Sequence, residues 1–106
     1  MKVAVITGAA SGIGAGLAKK AVSLGMKVVV ADRDQTGLEK VALELGDQAL
    51  AVATDVTSQA SLDALADKAY AAFGQVDLLF NNAGVLSTGN SWEISDAKWQ
   101  QAWQVN

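Results

Sequence analysis

Short runs of β-branched and aliphatic residues alternate along the chain with stretches where apolar positions recur every three or four residues. The runs are Val3 to Ile6, Val28 to Ala31, Leu50 to Ala53 and Val76 to Phe80, and each is predicted to be a strand. A continuous apolar run of that length suits a strand covered on both faces better than one half in water. Between them the helical period takes over. The first helix is expected to turn Ile13, Leu17, Ala21 and Leu24 inward and to stop at Gly25. The second carries Leu38, Val41, Ala42 and Leu45 and closes at Gly46. A third starts at about Ser58, presents Leu62, Leu65, Ala66, Ala69 and Phe73 on one face, and closes at Gly74. A fourth is expected after Ser95, a residue suited to an N-cap, with Trp99, Ala102 and Trp103 together on one face.

Strict alternation of strand and helix predicts an α/β fold with a parallel sheet. Right-handed crossovers then impose the strand order 3-2-1-4, with a reversal of direction after strand three. Ligands bind such sheets in the crevice at the reversal, here between strands one and four. Strand four is left as an apolar edge that more chain or a partner should cover.

At 106 residues the chain suits a single domain, and an apolar share of 51% with 18% charged argues against disorder. It has no cysteine and no histidine, which removes disulfides, thiol nucleophiles, imidazole chemistry and the usual zinc sites. No metal site is expected. A net charge of −3, with Lys19–Lys20 as the single adjacent basic pair, offers nucleic acid no footprint. The first apolar run breaks at Thr7-Gly8, too early for a secretory leader or a membrane span. A soluble cytoplasmic protein without a membrane partner is the expectation.

The candidate chemistry begins in the first turn, Thr7-Gly8-Ala9-Ala10-Ser11-Gly12-Ile13-Gly14. A glycine-rich turn between strand and helix lets backbone approach a pyrophosphate, and the helix N-terminus supplies N–H groups and partial positive charge. Gly8 would make the turn, Gly12 the close approach and Gly14 the packing of helix on strand. Glycines serving only a tight turn are the bland alternative. Asp32 ends strand two, where a carboxylate accepts hydrogen bonds from an adenosine ribose and repels a 2′-phosphate. That favours NAD over NADP, as does Ser11 standing where a basic residue would meet the phosphate. Arg33 pulls the other way, because a guanidinium pairs with phosphate. Alternatively, Asp32-Arg33-Asp34 is a charged loop leading into helix two. Gly16, inside helix one, costs about 1 kcal/mol relative to alanine, a cost that close packing on the sheet or a cofactor would explain.

Taken together, the spacing Thr7-Gly8-x-x-x-Gly12-x-Gly14 and the acid at Asp32 resemble the short-chain dehydrogenase/reductase family. Two further segments extend the likeness: Asp55-Val56 after strand three, and Asn81-Asn82-Ala83-Gly84 after strand four. The resemblance implies an incomplete Rossmann-type, doubly wound parallel sheet, with residues 1–106 forming the N-terminal portion of one NAD(P)-binding domain. It implies a cofactor held by Gly8, Ser11, Gly12, Ile13, Gly14, Asp32, Arg33, Asp55, Val56, Asn82, Ala83 and Gly84, with Asn81 mainly structural. Asp55 and Val56 would hold the adenine, and Asn82 to Gly84 would pass beside the adenine ribose. In the family a helix-four asparagine holds a water in the catalytic proton relay, and Asn106 matches it; a polar C-cap is the plainer role.

The chain departs from the family where the reaction occurs. The family pairs a tyrosine with a lysine four residues on and adds a serine; here the sole tyrosine is Tyr70, and Gly74 stands four residues later. The expected function is hydride transfer between nicotinamide and an alcohol or carbonyl substrate, carried by a longer protein of which this is an N-terminal part, inactive alone. The family further implies a homo-oligomer joined through helix four. A non-catalytic dinucleotide-binding module from a truncated paralogue is the alternative, and an S-adenosylmethionine-binding methyltransferase fits Thr7-Gly8 and Asn81 to Gly84 poorly.

Overall fold

A computed structural model describes residues 1–10 and 12–80. Strands β1 (Val3–Thr7), β2 (Lys27–Asp32), β3 (Ala49–Ala53) and β4 (Leu78–Phe80) alternate with helices α1 (Gly12–Ser23), α2 (Gln35–Leu45) and α3 (Gln59–Phe73). The sheet is parallel with the order β3-β2-β1-β4, the order expected from the alternation. In register, Val5 lies between Val29 of β2 and Leu79 of β4.

All five residues of β1 are buried, as are the four central residues of β2. Because side chains alternate across a strand, this burial requires cover on both faces. Val5, Val29 and Ala31 pack with Leu62, Leu65, Ala66 and Ala69 of α3. Ala4, Ile6, Val28 and Val30 pack with Ala18 and Ala21 of α1 and Leu38 and Val41 of α2. The sheet is thus a middle layer with α3 on one face and α1 and α2 on the other.

The helix ends follow local chemistry. Asp34 caps α2 by accepting from the Gly37 N–H at 3.0 Å, and Ser58 caps α3 by accepting from the Ser61 N–H at 3.2 Å. Gly74 closes α3 at φ 77°, in the left-handed region glycine enters without strain. A 3-10 turn over Gly46–Gln48, absent from the pattern reading, follows α2.

Two expectations need correcting. Helix one turns Gly14, Ala18 and Ala21 inward, whereas Ile13 and Leu24 stand 74% and 66% exposed. Ala21 keeps its expected inward place and Leu17 packs half-buried against the same core, while small residues fill the fully buried positions of the helix. Gly16 is exposed with open space at its Cβ position, so close packing among the described residues does not account for it. Strand four is also shorter than the run Val76 to Phe80. Asp77 exchanges two bonds with Val3, its N–H donating to the Val3 carbonyl and its Oδ2 accepting from the Val3 N–H, both at 2.8 Å. The side chain replaces one rung of the ladder. Among the described residues β4 pairs only with β1.

The Val3 N–H, a burial effect that opposes it, and the Gln75 amide act on Asp77 in that order of size. The net effect holds its carboxyl below the usual carboxylate range, with smaller help from Lys2 and the amino terminus. A carboxyl depressed by folding adds stability above its unfolded pKa of about 3.9 and loses it as pH falls through the folded value. Chemical denaturation between pH 7 and 2.5 should therefore show stability falling below about pH 4. Asp77→Asn should be less stable at pH 7 and show a flatter acid limb, and an unchanged limb would exclude Asp77 as a source of the slope.

Candidate functional site

The carboxyl ends of all four strands open on one edge of the sheet, and those predicted residues that lie among the described ones gather there. After β1 the chain turns at Gly8, with φ 65°, and enters α1 at Gly12, with φ 57°, both in the left-handed region. Among the described residues, a Cβ built at Gly12 meets nothing within 4 Å, which leaves space beside this glycine for a ligand. The first turn of α1 carries no acidic side chain, and the first N–H groups of any helix lack intrahelical acceptors. Gly14 is buried in α1, while Ile13 stands on the solvent side of the same turn.

Asp32 is the junction of this edge. Its Oδ2 accepts from the Ala10 N–H at 3.0 Å, its Oδ1 from the Asp34 N–H at 2.9 Å, and its carbonyl from the Thr54 N–H at 2.9 Å. The Ala9 N–H donates to the Ala31 carbonyl beside it at 3.1 Å. One carboxylate thus fixes the glycine-rich turn against β2 and starts the approach to α2. The charged-loop reading of this segment holds for Asp34, which caps α2, and Arg33 is exposed.

Asp55 follows β3 on the same edge. Its Oδ1 accepts from the Thr57 hydroxyl at 2.6 Å and the Thr57 N–H at 2.9 Å. Its own N–H donates to Ser61 Oγ at 2.8 Å, and its carbonyl accepts from the Ser58 N–H at 3.0 Å. The Thr57 hydroxyl and then the Thr57 amide hold the Asp55 carboxyl below the ordinary carboxylate range; burial opposes them and the Arg33 charge adds to them. Val56 is buried beneath the loop, in the α3-side core. Among the described residues, no group of three or more acidic, histidine or cysteine side chains is placed to hold a metal, and no helix is long and apolar enough to cross a membrane.

The sequence pattern did not single out four contributors. Ala10 and Thr54 act through backbone N–H groups, which leave no trace in residue type. Thr57 was legible, since Asp-x-Thr is a side-chain-closed turn signal. Gly37 was not singled out, yet a Cβ there would lie 2.6 Å from Asp34 Oδ2 and 3.2 Å from the Ala10 Cβ, so α2 starts directly against the glycine-rich turn. Tyr70 packs against the α3-side core. Ser11, Asn81, Asn82, Ala83, Gly84 and Asn106 lie outside the described residues, as do Ser95, Trp99, Ala102 and Trp103 of the expected fourth helix.

A doubly wound parallel sheet with a glycine-rich first turn and an acid closing its second strand defines a dinucleotide-binding class of α/β domain. The family model for short chain dehydrogenase matches residues 2–106, and the chain belongs to that family. It is 40% identical over 108 residues to a CLA biosynthesis dehydrogenase/reductase of Lactiplantibacillus plantarum, covering 99% of this chain and 38% of that protein. Among solved structures it resembles a short chain dehydrogenase/reductase from Burkholderia phymatum in complex with NAD. That match has a TM-score of 0.76 and 42% identity, and covers 98% of this chain and 42% of the other. A 3-ketoacyl-(acyl-carrier-protein) reductase from Brucella melitensis complexed with NADH is 54% identical with a TM-score of 0.73, over 74% of this chain and 32% of its own. The chain spans less than half the length of each of these relatives.

Alanine for glycine inside a helix ordinarily stabilises by about 1 kcal/mol. Gly37→Ala should forfeit that gain, because the new methyl displaces the Asp34 carboxylate from its cap, a loss of about 1 kcal/mol that leaves Tm unraised. Thermal denaturation decides the sign, and a raised Tm would show that the cap and the Ala10 turn yield freely.

Proposed function

We propose that this chain is the cofactor-holding part of an NAD-dependent oxidoreductase that moves hydride between nicotinamide and an alcohol or carbonyl carbon. The observation that carries this reading is the Asp32 carboxylate at the end of β2, bonded to the Ala10 N–H of the glycine-rich turn. The donor set fits a dinucleotide. The space that the described residues leave beside Gly12 and the α1 N-terminus suit the pyrophosphate, and Gly8, Ser11, Ile13 and Gly14 are assigned to the same turn. Asp32 takes the adenosine ribose hydroxyls and disfavours a 2′-phosphate, Arg33 flanks it, and Asp55 with Val56 takes the adenine. Asn82, Ala83 and Gly84 are assigned to the adenine ribose side, and Asn106 to a water in the proton relay.

When bound, the nicotinamide ring supplies the hydride chemistry; these residues bind and orient it. The sole tyrosine, Tyr70, is packed in the last turn of α3 and is followed by Gly74, so it is not the acid-base group. These 106 residues by themselves are proposed to bind without turnover. The whole protein is proposed to be a cytoplasmic homo-oligomer acting on a small alcohol or carbonyl compound.

Calorimetric titration of the natural gene product should show NAD binding at least about tenfold more tightly than NADP, as expected of a charged hydrogen bond replaced by charge repulsion. Asp32→Ala should weaken NAD by about tenfold and bring the two affinities together. Equal or tighter binding of NADP by the unaltered protein would overturn the NAD assignment.

A further inference from the structure

The Asp55–Thr57 turn carries a consequence for recognition of the adenine base. The Thr57 hydroxyl and the Thr57 N–H both donate to one oxygen of Asp55, at 2.6 and 2.9 Å. Among the described residues, no hydrogen bond reaches the other oxygen, Oδ2. The backbone beneath is held as firmly, because the Asp55 N–H is bound to Ser61 Oγ and its carbonyl to the Ser58 N–H. A carboxylate clamped by one oxygen has its rotation about Cβ–Cγ set, and its second oxygen is presented in one direction as a charged acceptor. The loop hangs from the same sheet edge as Asp32, tied to it by the Thr54 N–H donating to the Asp32 carbonyl.

We infer that Thr57 is a positioning residue for base recognition: it fixes Asp55 so that Oδ2 accepts from the exocyclic amine of the adenine and rejects a base with a carbonyl there. This rests on the proposed assignment of Asp55 to the adenine. The ionised state of Asp55 supports it, since a carboxylate accepts from an amine and repels a carbonyl oxygen. Thr57 is exposed and does not enter the core, so its replacement leaves packing intact.

The test compares the affinity of the natural gene product for NAD with that for nicotinamide hypoxanthine dinucleotide, whose base carries a carbonyl in place of the amine. The unaltered protein should prefer NAD by about tenfold or more. Thr57→Val keeps the backbone donor and removes the hydroxyl, so it should cut that preference by about threefold to tenfold, while Thr57→Ser retains it. Should Thr57→Val yield too little folded protein, Thr57→Ala reads the same ratio. Undiminished preference in the valine or alanine variant overturns the positioning role and leaves Asp55 as the reader of adenine. Absence of any preference in the unaltered protein overturns the adenine assignment and the inference with it.

Discussion

The structure depends on β1 being buried on both faces. A strand with no exposed residue has water on neither side, so helices must cover each face and the neighbouring strands must run parallel to it through crossovers. Val5 points into one half of the core while Ala4 and Ile6 point into the other. From that alternation follow the separate cover by α3 and by α1 with α2, and the gathering of every strand's carboxyl end on one edge. The site is a consequence of this layering: parallel strands deliver their C-terminal loops to the same place.

The two edges of the sheet are secured by the same device, a carboxylate accepting from the backbone of a distant strand or turn. Asp77 bonds to Val3 on the amino edge and Asp32 bonds to Ala10 on the carboxyl edge. In a sheet with short strands, a side-chain acceptor extends pairing beyond the point where backbone geometry permits a further rung. The exposed ion pair Lys19–Glu44, at 3.1 Å between α1 and α2, contributes little by comparison, since both side chains are more than half in solvent.

Strand order and the helix stops at Gly46 and Gly74 were legible because β-branched runs and terminal glycines report local energetics directly. The face of α1 was not. Its inward residues are Gly14, Ala18 and Ala21, which carry little hydrophobic signal, while Ile13 and Leu24 carry much and face water. Small residues, rather than apolar bulk, fill the buried positions of that face. The glycines and acids of the site were readable as types at strand ends. Their bonds were not, because Ala10 and Asp32 are 22 residues apart and Val3 and Asp77 are 74 apart, and backbone donors have no residue signature. Asp55–Thr57 is the exception, a local turn whose chemistry sits within three consecutive residues.

The geometry at Asp32 also explains why a carboxylate, rather than an amide of the same shape, suits that position. An ionised carboxylate offers about four acceptor sites on two oxygens. Two are taken by the Ala10 and Asp34 N–H groups, one on each oxygen, which leaves one on each for the ribose hydroxyls of the proposed cofactor. An asparagine would present its NH2 group to one of those two backbone N–H donors, leaving donor facing donor. The residue proposed to discriminate between cofactors is thus also the one that holds the Ala10 turn, so an exchange made to change cofactor preference disturbs that turn as well. A compensating acceptor for the Ala10 N–H is the physical requirement such an exchange must meet.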